Sequence, residues 1–155
     1  MSIQVKTVID ERGWRKLVGL LEKLDELEVR VGVVGAPDSD IVDIAATHEF
    51  GDPTRKIPER SYIRRTFEKD EAARAAAIGK LTGRVVDGKL QPEQAMGLLG
   101  TREVAAIRNT IAGGAHIPPP LQPETIARKG SDRPLVDTGR LLNSIAYVVE
   151  KKGGE

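Results

Sequence analysis

Residues 28–35, EVRVGVVG, alternate with a period of two: Val29, Val31 and Val33 fall on one face of an extended strand, and Arg30, Gly32 and Val34 on the other. Gly35, Ala36, Pro37 and Asp38 end it, because glycine, proline and aspartate favour a turn over continued pairing. Ahead of this strand, Trp14, Leu17, Val18, Leu21 and Leu24 recur at spacings of three and four. That spacing predicts an amphipathic helix with Arg15, Lys16, Glu22 and Lys23 facing outward. Asp10 is placed to cap the helix, and Gln4 to Ile9 can extend as a short strand before it. Beyond residue 38, Ile41, Ile44, Ala45 and Phe50 suit a second helix stopped by Gly51, and Gly51, Asp52 and Pro53 open an exposed loop running to Pro58.

Farther along, Ile63, Phe67, Ile78, Leu81 and Val85 fit one long helix whose centre, Ala72 to Ala77, is nearly all alanine and arginine, residues that lose little entropy in a helix. Asp87 and Gly88 break it. Pro92 suits the first turn of a further helix presenting Met96, Leu99, Ile107 and Ile111, and Gly113 and Gly114 stop that one. From 113 to 134, Pro118, Pro119, Pro120 and Pro123 among few apolar residues predict an extended arm. Thr138 to Asn143 can make one helical turn, and Ser144 to Val149 alternates as a closing strand. Strands at both ends and near residue 30, separated by helices, predict an α+β fold. The expectation is one domain over 1–155, its small mixed or antiparallel sheet of three to four strands packed against helices, with a long proline-rich arm.

A formal net charge of +1 supplies no global field to draw the chain onto nucleic acid or an anionic membrane, so any charge-based role must be local. The absence of cysteine excludes a disulfide framework, thiolate metal ligation and a cysteine nucleophile. With aromatic residues at 3%, the core must rest on Leu, Ile, Val and Ala. The sequence has neither a signal-peptide-like start nor an apolar run of about 18 residues, so the expectation is a soluble, cytoplasmic chain without a membrane partner.

Asp137-Thr138-Gly139, after Pro134, Leu135 and Val136, has the form of an aspartic-protease signature, in which two carboxylates share a proton to activate water. That reading, a homodimeric peptidase using Asp137, needs a later supporting strand that the short run after Gly139 does not supply. Arg140, Leu141 and Leu142 instead suit a helix start, with Asp137 or Thr138 as cap. His48 and Glu49 form half of a zinc-protease helix motif, but Asp52 stands where the second His is required. Gly32 and Gly35 follow a strand without a GxGxxG or a Lys-Ser/Thr pair, so no phosphate cradle is indicated. Two basic groups remain: Arg55, Lys56, Arg60, Arg64 and Arg65, opposed only by Glu59, and Arg128, Lys129 and Arg133, partly offset by Asp132. They read as solvated surface, a subunit interface, or a surface facing DNA phosphates.

Four stretches in order resemble the tail-completion or neck family of tailed phages, which overlaps with minor tail protein Z, virion morphogenesis and tail terminator proteins. The Val-rich strand ending at Gly35, followed by Ile44, Ala45, His48, Glu49, Phe50 and Gly51, resembles the family's strand, helix and "NEFG" turn, with His48 where Asn is more usual. Residues 57–64, IPERSYIR, are similar to its "IPxRPFLR" run, Ser61 and Tyr62 replacing Pro and Phe. Pro123, Thr125, Ile126, Lys129 and Gly130 form the third stretch. Pro134, Leu135, Val136, Asp137, Thr138, Gly139, Leu142, Ser144, Ile145 and Tyr147 resemble its "PLxDTGxLxxSIxYxV" ending. The resemblance implies a structural virion protein of a tailed phage, a homo-oligomeric and hexameric ring that completes the tail and joins it to the head connector, with tail terminator as the alternative. It implies contacts with connector proteins, with tail tube or terminator proteins and with DNA passing through the ring. It implies assembly in the host cytoplasm and no catalysis, cofactor or small-molecule substrate. Glu49, Gly51, Asp137, Thr138 and Gly139 would then be structural turn and cap residues.

Overall fold

The structure, a computed structural model, describes residues 10–34, 39–113, 117–135 and 139–153. In chain order these carry α1 (Glu11–Asp25), β1 (Leu27–Gly32), α2 (Ser39–Phe50), α3 (Tyr62–Lys69), α4 (Glu71–Val86), α5 (Pro92–Ala112), α6 (Pro123–Lys129), α7 (Arg140–Ser144) and β2 (Ala146–Lys151). The fold is α+β. Among the described residues the sheet has two antiparallel strands, in register from Leu27 opposite Lys151 to Gly32 opposite Ala146, in place of the three to four expected. The strand expected over 4–9 lies outside the described residues.

The two faces of this sheet differ as an antiparallel pair with one packed side should. Val29 opposite Val149 and Val31 opposite Tyr147 face α5, which lies across both strands. Gly100 of α5 makes room for the Tyr147 ring, since a Cβ there would sit 2.3 Å from its Cδ2. On the other face Glu28 stands opposite Glu150, a repulsive pairing that Arg30 neutralises by an ion pair to each.

The core is aliphatic, with Tyr62 the one aromatic side chain among its buried members. Ile41 and Ala45 of α2, Tyr62 of α3, Ile107 and Ile111 of α5 and Leu141 of α7 meet Ile117, Leu135 and Ile145. Burying each large apolar side chain contributes about 1.5–3 kcal/mol, so this cluster fixes the helices that carry the site described below. Asp10 caps α1, its carboxylate accepting from the main-chain N–H of Arg12 and Gly13 at 3.1 Å each.

Three sequence expectations are corrected. The long helix over 63–85 is two helices, broken at Asp70. Nothing in the local sequence demands the break; it is held by tertiary charge. Arg74 donates to the Phe67 carbonyl at the end of α3 (2.8 Å), and Arg102 of α5 pairs with Asp70 at 2.5 Å and with the buried Glu103. The proline-rich stretch is not simply an extended arm: α6 begins at Pro123, where proline's missing N–H is harmless in a first turn, and Ile117, Pro134 and Leu135 are buried. Finally, Phe50 does not share the buried face of Ile41 and Ala45. Nine positions beyond Ile41 is about half a turn round a helix of 3.6 residues per turn, and Phe50 stands 70% exposed.

Candidate functional site

α2 ends at Gly51, whose φ of 75° is left-handed and whose N–H closes on the Thr47 carbonyl at 2.8 Å. A Cβ at Gly51 would lie 2.8 Å from the Glu59 main-chain nitrogen, so the chain can fold back here only on glycine. Asp52 and Ile57 exchange main-chain hydrogen bonds of 2.8 and 2.9 Å across the loop. The Asp52 carboxylate accepts from the Thr54 hydroxyl, then from the Arg55 side chain and main chain, which holds its carboxyl well below the usual carboxylate range. Arg55 also reaches the Thr47 hydroxyl at 2.8 Å. Its charge is committed to fastening the loop.

The returning segment is pinned beside α2 by the Arg60 N–H donating to the His48 carbonyl at 2.8 Å. Glu49, 6% exposed, then caps α3 from a different helix. Its carboxylate accepts from the Ser61 hydroxyl (3.0 Å) and from the main-chain N–H of Ile63 (2.8 Å) and Arg64 (3.0 Å). A buried carboxylate at a helix N-terminus satisfies orphan donors and complements the helix dipole.

Between this returning segment and residues 119–134 lies an open cleft of about 780 Å³. Lys56 and Arg60 come to it from the loop, Arg128 and Lys129 from α6 and His48 from α2, and among the described residues no Asp or Glu lines it. Arg60, only 7% exposed, donates from Nε to the Pro119 carbonyl at 3.0 Å and from Nη2 to the Pro120 carbonyl at 3.5 Å. Lys129 Nζ donates to the Arg133 carbonyl at 2.6 Å and to the Pro134 carbonyl at 3.3 Å. Among the described residues Lys56, Arg60 and Arg128 form no ion pair. Lys56 holds a φ of 55°, a left-handed conformation that a residue with a Cβ adopts at a cost. His48 Nδ1 is buried without a hydrogen-bond partner, and burial, then Arg60 and Lys129, lower the imidazole from its ordinary value.

The two basic groups seen in the sequence are therefore split. Lys56, Arg60, Arg128 and Lys129 converge on the cleft, whereas Arg55 is held by Asp52, Arg64 pairs with Glu59 at 3.1 Å, and Arg65 lines a separate groove with Lys69 and Asn109. Arg133 contributes its carbonyl to Lys129. Asp137 and Thr138 lie outside the described residues, and Gly139 stands at the N-cap of α7 with φ 77°. Sequence reasoning missed His48 as a member of this site and missed the Arg74–Glu103–Arg102–Asp70 cluster between α4 and α5. Both exist only once separate helices meet.

Chemically, the cleft offers several cations and an apolar rim, with no carboxylate lining it among the described residues, an arrangement suited to holding an anion. Among the described residues no group of three or more His, Asp or Glu is placed to hold a metal ion, and no helix is long and apolar enough to cross a membrane. Compared with protein families, curated proteins and solved structures, the chain matches none.

Proposed function

We propose that this chain is a structural protein of a tailed-phage virion, a ring-forming tail-completion or neck subunit that joins the tail to the head connector. The observation that carries this reading is where the four family-like stretches meet. His48 from the first, Ile57, Pro58 and Arg60 from the second, Thr125 and Lys129 from the third and Pro134 from the fourth all line the one cleft. Residues far apart in sequence thus share one site. Exposed aromatic surface supports the oligomeric part: the single Trp, Trp14 of α1, is 64% exposed and Phe50 of α2 is 70% exposed. Neighbouring subunits would cover such surface. The ring is hexameric in this reading and resides in the virion neck, its role is assembly without catalysis, and a tail terminator is the runner-up within the same class. Deleting the gene tests the proposal: particles lacking this chain should accumulate as DNA-filled heads and separate tails, and normal joined virions would refute it.

A further inference from the structure

We infer that the basic cleft is a binding site for an extended acidic peptide segment of a partner protein, one whose carboxylates alternate with apolar side chains. This goes beyond the virion reading and stands whether or not that reading holds.

Three observations select this ligand. First, the charges of Lys56, Arg60 and Arg128 meet no carboxylate among the described residues. Arg60 is almost fully buried, yet its guanidinium donates to two neutral proline carbonyls, and Lys56 and Arg128 beside it have no ion pair among the described residues. A guanidinium removed from water without a counter-charge is costly, and an incoming carboxylate offsets that cost. Second, the walls are half apolar. Ile57, Pro58, Pro119, Pro120 and Leu121 share the cleft with the cations. A phosphate chain gains nothing from proline rings, whereas the alternate side chains of an extended peptide pack on them. Third, the shape is concave and Arg60 is recessed. A DNA duplex carries its phosphates on the outside of a wide double helix, where exposed Lys and Arg contact them, and does not reach a recessed guanidinium, while a single extended chain can enter. The left-handed Lys56 fits the same picture: a backbone cost is retained at a position whose side chain lines the cleft.

The full-length protein is titrated at low salt with a fluorescent peptide of alternating glutamate and leucine, with its glutamate–serine counterpart and with a short DNA duplex. The same titrations are run on Lys56→Glu/Arg128→Glu, both exposed positions, and on Arg65→Glu, which lies outside the cleft; circular dichroism and melting establish that each variant is folded. The glutamate–leucine peptide should bind, weaken by at least about tenfold in the double variant, and bind Arg65→Glu as it binds the unaltered protein. The glutamate–serine peptide should bind more weakly. No peptide binding to the unaltered protein, or equal binding to the double variant, overturns the site. Equal affinity for the two peptides overturns the apolar part of the inference. Duplex binding that the double variant loses, with peptide binding unaffected, assigns the cleft to nucleic acid instead.

Discussion

The Arg60 guanidinium donates to the Pro119 carbonyl at 3.0 Å, joining the segment that returns from α2 to the proline-rich stretch 59 positions later. Proline-rich segments have few donors of their own, so their carbonyls are free to accept from a side chain. Replacing Arg60 with Met keeps the aliphatic stem and removes the bonds. Hydrogen bonds to charged groups contribute about 1.5–3 kcal/mol, and the cost of burying the guanidinium offsets part of that, so urea unfolding should show a loss below about 3 kcal/mol together with faster proteolysis between 117 and 122. Unchanged stability and unchanged proteolysis would show that the contact holds nothing.

Glu49 should be intolerant of even isosteric change. Glutamine retains one acceptor oxygen but turns an NH2 group toward the N-terminus of α3, where Ile63 and Arg64 already present donors. Glu49→Gln should lose about 1–3 kcal/mol, the range for a buried donor left unsatisfied, seen as a melting temperature lower by several degrees. A melting temperature within error of the parent would contradict the cap.

Gly97 and Gly100, three residues apart on α5, should respond to alanine with opposite signs. In a helix interior Gly→Ala normally gains about 1 kcal/mol. At Gly97 a Cβ meets Tyr147 Oη at an ordinary 3.6 Å, so Gly97→Ala should stabilise. At Gly100 it would meet the ring carbons at 2.3 and 2.5 Å, and overpacking of that kind costs about 1–3 kcal/mol. Gly100→Ala should therefore destabilise, and Tyr147→Ala should relieve it in a double-mutant cycle. Shifts of the same sign at both positions would place the ring elsewhere.

Much of this fold is legible in the sequence because it rests on local chemistry. Asp10 before an apolar repeat, Pro92 in a first turn, Gly51 after Phe50 and alternation around Val29 and Val31 each act over a few residues, and helices and strands stand there. What was illegible depends on residues far apart in the chain. The break at Asp70 needs Arg102; the burial of Ile117 needs Ile107, Ile111 and Leu141; the cleft needs Arg60 of one basic group and Arg128 of the other to converge. Composition could show two basic clusters, but not that Asp52 and Glu59 neutralise Arg55 and Arg64 while Lys56 and Arg60 face the other cluster.

His48 gives the site a pH signature. Burial, with Arg60 and Lys129, lowers its folded value below the ordinary 6.5, while Lys56 and Arg128 line the same cleft. The unfolded chain therefore takes up the proton first as pH falls. Stability is fully present above about 6.5 and declines as pH drops from there toward the lowered folded value. Urea unfolding at about pH 7.5 and 5.5 should show a smaller difference in His48→Gln than in the parent. An equal difference in both proteins would remove His48 as the cause.

The reading of this chain as a ring subunit of the virion neck is met most directly by a cryo-EM map of the head-to-tail junction in particles carrying the gene. The expected density is a closed ring of copies of this chain between the head connector and the tail tube, with the cleft bounded by Arg60 and Arg128 turned toward a neighbouring protein segment. Particles whose complete junction density contains no copy of this chain would contradict it.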